Sequence, residues 1–177
     1  MPIGPPGTTG GEVRSDEAAL PGPDNSNESE ALASGPLLAF ADWPHAEPTK
    51  GPGIYTIWRG PQFLYVGVAG RGVPSSTARG LWGRLNSHAS GRRSGDQFCI
   101  YVCDRLVLPT AVDRLEEIVQ GKLSLDALTR QFIRAELGFR FLTTPDYASA
   151  IGLENRIKFQ GLVDVGRPLL NPGAAPD

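Results

Sequence analysis

From Gly53 onward the chain alternates between apolar stretches and glycine- or proline-marked breaks. Ile54–Trp58 is rich in β-branched and aromatic residues and reads as a strand. Arg59-Gly60-Pro61 is a turn signal, and Gln62–Val68 reads as the returning strand of a hairpin. Gly70–Ser76 reads as a loop. Over Thr77–Ala89, Leu81, Leu85 and His88 fall at helical spacing. A polar loop, Gly91–Gly95, leads into Phe98–Leu108, which reads as a strand with apolar residues on both faces. Ala111–Val119 and Leu125–Leu137 read as helices, with Ser124 as N-cap of the second and Gly138 as its stop. Phe139–Thr143 is strand-like, and Pro145–Leu162 reads as a helix. The content predicts an α+β fold: a small antiparallel β-sheet flanked by helices.

Upstream the pattern disappears. Residues 1–35 are rich in Gly, Pro, Ser, Asn and Glu without apolar periodicity and are expected to form a disordered, low-complexity tail. Residues 36–52 read as a linker or edge segment, kept extended by Pro44, Pro48 and Pro52. Residues 53–172 are expected to form one domain, and 177 residues leave little room for a second. No apolar run approaches the ~20 residues of a bilayer span, and no secretory signal is visible, so a soluble cytoplasmic protein without membrane partners is expected. Cys99 and Cys103 fall on one face of the predicted Phe98–Leu108 strand and read as reduced core residues.

The net charge of −2 at first argues against a nucleic-acid partner, but its distribution does not. Residues 1–50 hold eight acidic and two basic side chains, whereas residues 51–177 hold eleven acidic and fifteen basic. Between Gly51 and Gly95 lie six arginines (Arg59, Arg71, Arg79, Arg84, Arg92 and Arg93) and no acid. A local basic field of this kind attracts phosphate even in an acidic chain.

The candidate chemistry appears as an ordered set. Gly53-Ile54-Tyr55 and Tyr65-Val66-Gly67 lie in the two hairpin strands. Arg84 and His88 follow at i and i+4 on one helix face, then Glu154 within Leu153-Glu154-Asn155-Arg156, then Asn171-Pro172. This order, over roughly residues 51–172, resembles the GIY-YIG nuclease family, with a histidine as in its restriction-endonuclease-like members. The resemblance implies a metal-dependent endonuclease hydrolysing phosphodiester bonds in DNA, with RNA left open. It implies that Tyr55 positions or deprotonates the attacking water, and that Tyr65 and Arg84 hold the scissile phosphate. It further implies that Glu154 binds one Mg²⁺ (with Mn²⁺ able to substitute), that His88 sits one turn after the arginine, and that Asn171 braces the site. Arg59, Arg71, Arg79, Arg92 and Arg93 are then candidate nucleic-acid contacts. In physical terms, an arginine or the metal must lower a tyrosine pKa if that tyrosine is to take a proton from water.

Two features depart from that family. Val68 stands where many relatives carry lysine or another polar residue, and the 98–137 stretch is longer than a minimal core. A nucleic-acid-binding module without catalysis, or a protein-interaction adaptor, would share the fold. Monomer and homodimer are both open. The hairpin carries a geometric condition. Side chains alternate, so a two-residue turn at Gly60-Pro61 would pair Tyr55 with Val66 and turn Tyr65 away, unless a bulge re-aims it.

Overall fold

The computed structural model describes Met1 and residues 25–44, 50–72 and 80–172. Four strands form one antiparallel sheet in the order β1-β4-β2-β3: β1 (Leu38–Ala39), β2 (Gly53–Arg59), β3 (Gln62–Ala69) and β4 (Gly138–Thr143). Helices α1 (Asn25–Ser34), α2 (Leu81–Ala89), α3 (Gln97–Val102), α4 (Leu115–Val119), α5 (Leu125–Glu136) and α6 (Tyr147–Gln160) cover it. The α+β expectation is met at this level.

The sheet is covered on both faces. On one, Tyr55, Ile57, Leu64, Tyr65 and Phe139 pack with Leu81 and Leu85 of α2, Phe98, Cys99 and Val102 of α3, and Ile133 of α5. On the other, Ile54, Trp58, Phe63 and Val66 pack with Leu32 of α1 and Leu153 and Ile157 of α6. This explains why β2 lacks the polar alternation of a half-exposed strand: six of its seven residues are buried.

The hairpin turns in two residues, since Arg59 pairs with Gln62. A bulge follows at once. Trp58 pairs with Phe63 but Ile57 pairs with Tyr65, leaving Leu64 as the extra residue. The slip pairs Tyr55 with Gly67 and returns Tyr65 to the face that carries Tyr55 and Ile57. The condition on the two tyrosines is met by the bulge.

β3 is one of the two outer strands, and the C-terminal segment covers its open edge. Leu169 N–H donates to Phe63 O (3.2 Å) and Leu170 N–H to Leu64 O (2.7 Å). The Asn171 amide then exchanges two hydrogen bonds of 2.9 Å with the Val66 backbone, as a neighbouring strand would.

Three expectations are corrected. Phe98–Leu108 is not a strand: α3 continues through a π-helical turn at Cys103–Val107 into a 3₁₀ turn at Leu108–Thr110. Partly buried Ile100, Tyr101 and Leu106 are apolar like the buried Phe98, Cys99, Val102, Cys103 and Val107, which blurs the periodicity that separates a buried strand from a buried helix. Cys99 and Cys103 are buried free thiols, one helical turn apart. Second, the tail expected to run to residue 35 contains α1 within its last eleven residues; residues 2–24 lie outside the described structure. Leu32 is fully buried, Thr56 Oγ1 donates to Leu32 O, and Arg140 Nε donates to Gly35 O. Third, Ala111–Val119 forms a 3₁₀ turn and the five-residue α4 rather than one helix. Among the described residues, no helix is long and apolar enough to cross a membrane.

Candidate active site

A cleft of about 740 Å³ opens where the ends of β2 and β3 meet α2 and α6. Tyr55 enters it from β2, Tyr65 from β3, Arg84 from α2 and Glu154 from α6, with Ser87, Arg71 and Tyr147 on its walls. Residues up to 99 positions apart in sequence therefore face one space.

The tyrosines approach each other because β3 carries a glycine between them. A Cβ on Gly67 would overlap the Tyr55 hydroxyl and lie 2.9 Å from Tyr65 Cε1. The rings stand 6.4 Å apart, centre to centre. Tyr55 is wholly buried, and its hydroxyl pairs with His88 Nε2 at 2.7 Å. On the other side of the imidazole, Nδ1 meets Asp96 Oδ2, also at 2.7 Å. Ser87 Oγ donates to the same carboxylate oxygen at 2.8 Å. The second oxygen, Oδ1, accepts from the Phe98 and Cys99 N–H groups and caps α3. His88 is fully buried, with its ring against Phe98 (4.6 Å between centres) and Tyr65 (6.2 Å).

Burial sets the ionisation of this group. It pushes both tyrosines up, Tyr65 to about 12 and Tyr55 well above its ordinary value. Arg84 pulls both down and does not prevail. Arginine alone therefore does not meet the condition for a tyrosine base, and both tyrosines rest as neutral phenols. Burial also lowers His88 below 6.5, opposed by Asp96 and aided by Arg84, so the imidazole is neutral. Burial alone would raise Asp96, but His88, Ser87 and Arg84 outweigh it and hold the carboxyl down at about 2. Arg84 remains a cation: burial disfavours its charge, and Tyr55, Asp96 and Tyr65 together favour it more.

Among the described residues lining the cleft, Glu154 is the one carboxylate. Lys158, one turn later on α6, holds its Oε1 at 2.9 Å. Asp146 instead caps the start of α6 by accepting from Ser149 N–H at 2.7 Å. Glu154 is largely buried but lines the open cleft, and a single carboxylate there suits Mg²⁺, which keeps several waters and takes few protein oxygens.

His88, Asp96 and Cys99 also place ligand-type atoms within 4.8 Å of one another. Their bonding does not suit an ion. The Nδ1–Oδ2 separation of 2.7 Å is that of a hydrogen bond, Cys99 Sγ donates to His88 O, and burial pushes the Cys99 thiol up, away from the thiolate a metal requires.

Tyr55, Tyr65, Arg84 and Glu154 of the expected site thus share the cleft. His88 touches it only through Tyr55, and Asn171 lies behind it, on the backbone of β3. Of the candidate nucleic-acid contacts, only Arg71 lines the cleft among the described residues. Arg59 pairs with Glu136 at 3.3 Å and Arg93 with Asp126 at 2.8 Å, both at the surface. Arg92 is exposed on the 91–95 loop, and Arg79 lies outside the described residues. Sequence reasoning missed Asp96, Ser87 and Tyr147.

Comparison with models of known families, with curated proteins and with solved structures finds no match.

Proposed function

We propose that the chain is a metal-dependent endonuclease of the GIY-YIG type, hydrolysing phosphodiester bonds in DNA. The observation that carries this reading is the convergence of Tyr55, Tyr65, Arg84 and Glu154, from four different elements, on one cleft. Arg84 is a fixed cation with planar donors suited to phosphate oxygens. Tyr65, held as a neutral phenol, keeps its proton and donates a hydrogen bond to the same phosphate. Both keep the phosphorus in line with a water at Tyr55, so much of the rate gain comes from positioning and charge stabilisation. A Mg²⁺ bound at Glu154 would polarise a phosphate oxygen and stabilise the leaving oxygen.

The water oxygen forms a bond to phosphorus as the bond to the leaving oxygen breaks. The water proton passes to the Tyr55 hydroxyl as that hydroxyl gives its own proton to His88 Nε2, and the leaving oxygen takes a proton from solvent. A buried phenol alone is a poor base, so the pair acts as a unit.

The test is cleavage of defined duplex DNA, branched DNA, single-stranded DNA and RNA, each with Mg²⁺ and with EDTA. Mg²⁺-dependent cleavage of DNA is expected. Binding of DNA without cleavage under any divalent ion would overturn the enzyme in favour of a binding module, and cleavage of RNA alone would overturn the substrate assignment.

A further inference from the structure

We infer that Asp96 is a positioning residue that fixes His88 in the Nδ1–H tautomer, so that Nε2 is free to accept the Tyr55 proton. The inference rests on the nuclease reading for its consequence in catalysis, and on the structure alone for the tautomer. An ionised carboxylate only accepts, so the 2.7 Å contact from Asp96 Oδ2 requires the proton on Nδ1. A neutral imidazole then has its lone pair on Nε2, 2.7 Å from the Tyr55 hydroxyl. Asp96 is itself held rigidly. Ser87 donates to Oδ2, and the first N–H groups of α3 donate to Oδ1. When the proton reaches His88, the imidazolium faces a carboxylate already in place. The charged or titratable groups around the ring are Tyr55 from β2, Tyr65 from β3, Arg84 from α2, Asp96 before α3 and Cys99 within it. Of these, Asp96 is the anion that hydrogen-bonds the ring.

Asp96→Asn isolates this role. Asparagine is as good an N-cap as aspartate, so its carbonyl oxygen continues to accept from Phe98 and Cys99. Its NH₂ must then face His88 Nδ1, which forces Nδ1 to accept and places the proton on Nε2. The hydrogen bond to Tyr55 reverses, and the proton route closes. The equivalent carboxylate-to-amide change in a serine-protease triad costs about 10⁴-fold in kcat through the wrong tautomer.

The experiment uses the full chain labelled with ¹⁵N-histidine. There are two histidines, so His45→Gln assigns the His88 nitrogens. The wild type is expected to show a protonated Nδ1 and a bare Nε2 at pH 7, and Asp96→Asn the reverse. A His88 that is charged at pH 7, carries its proton on Nε2, or keeps its tautomer in Asp96→Asn overturns the inference. In cleavage assays Asp96→Asn is expected to lower kcat by ~10²-fold or more at unchanged KM. Tyr55→Phe is expected to mask the effect, so that Tyr55→Phe with Asp96→Asn is no slower than Tyr55→Phe alone. A further loss in the double variant overturns the route through Tyr55. A wild type that cleaves nothing removes the nuclease reading, while the nitrogen spectra still decide the tautomer.

Discussion

Gly67 is where the two tyrosines come closest to the backbone. Its partner across the ladder is Tyr55, and any side chain there would occupy the volume of the Tyr55 hydroxyl. The obstruction cannot be relieved cheaply, because Tyr55 is wholly buried and tied to His88. Gly67→Ala is expected to destabilise the fold by about 1–3 kcal/mol, as overpacking does, and to lower cleavage by at least ~10-fold by moving Tyr55. Denaturant melts and single-turnover rates check the two effects; wild-type stability with wild-type rate would show that the ring has room. Legibility differs sharply among residues at this scale. Tyr55, Tyr65, Arg84 and Glu154 could be read from their types and order. Asp96 could not be assigned to the site, because its contact with His88 depends on how the 90–95 loop returns. That loop turns through two glycines at positive φ, Gly91 (68°) and Gly95 (79°). A weaker signal was present: an aspartate just before an apolar run is an N-cap pattern.

Among the elements, the β2–β3 hairpin was legible because its turn residues and β-branched runs act locally. Its bulge was not, since it depends on which of Leu64 and Tyr65 finds room on the buried face. The 98–108 segment was misread for a related reason. Its buried positions Phe98, Cys99, Val102, Cys103 and Val107 follow helical spacing, but the partly buried residues between them are also apolar. The α1 helix was missed because its sequence is largely polar and only Leu32 is fully buried. Tertiary contact, not local preference, holds it to the sheet. Leu32→Ala is therefore expected to cost about 2–5 kcal/mol, the range for truncating a fully buried leucine. A change below ~0.5 kcal/mol in denaturant melts would mean that α1 does not pack on Ile54 and Ile157.

For the whole molecule, the buried Tyr55–His88–Asp96 group links stability to pH. His88 has its pKa lowered by folding, so below 6.5 the unfolded chain takes up a proton that the folded chain refuses. Its contribution is complete above the unfolded pKa and declines as pH falls below it. Asp96 is depressed from 3.8 to about 2, so its contribution is lost as pH falls through that lower window. The melting temperature is expected to fall between pH 7 and pH 5, and to fall less in His88→Gln. A wild type that gains stability on acidification over this range would contradict a neutral, buried His88. The charge distribution was only partly legible at this scale. The run of six arginines without an acid suggested one basic surface, yet Arg59 and Arg93 find acidic partners on α5 that lie far away in sequence.

On the proposed reading, one cleft carboxylate, Glu154, supports hydrolysis. Glu154→Gln keeps the shape of the side chain and removes its charge, leaving Tyr55, Tyr65 and Arg84 in place. The decisive measurement is DNA cleavage by this variant beside DNA binding, each with and without Mg²⁺. Binding is expected to persist, cleavage to fall by ~10²-fold or more, and wild-type cleavage to stop in EDTA. A Glu154→Gln protein that cleaves like the wild type, or a wild type indifferent to EDTA, would contradict this reading.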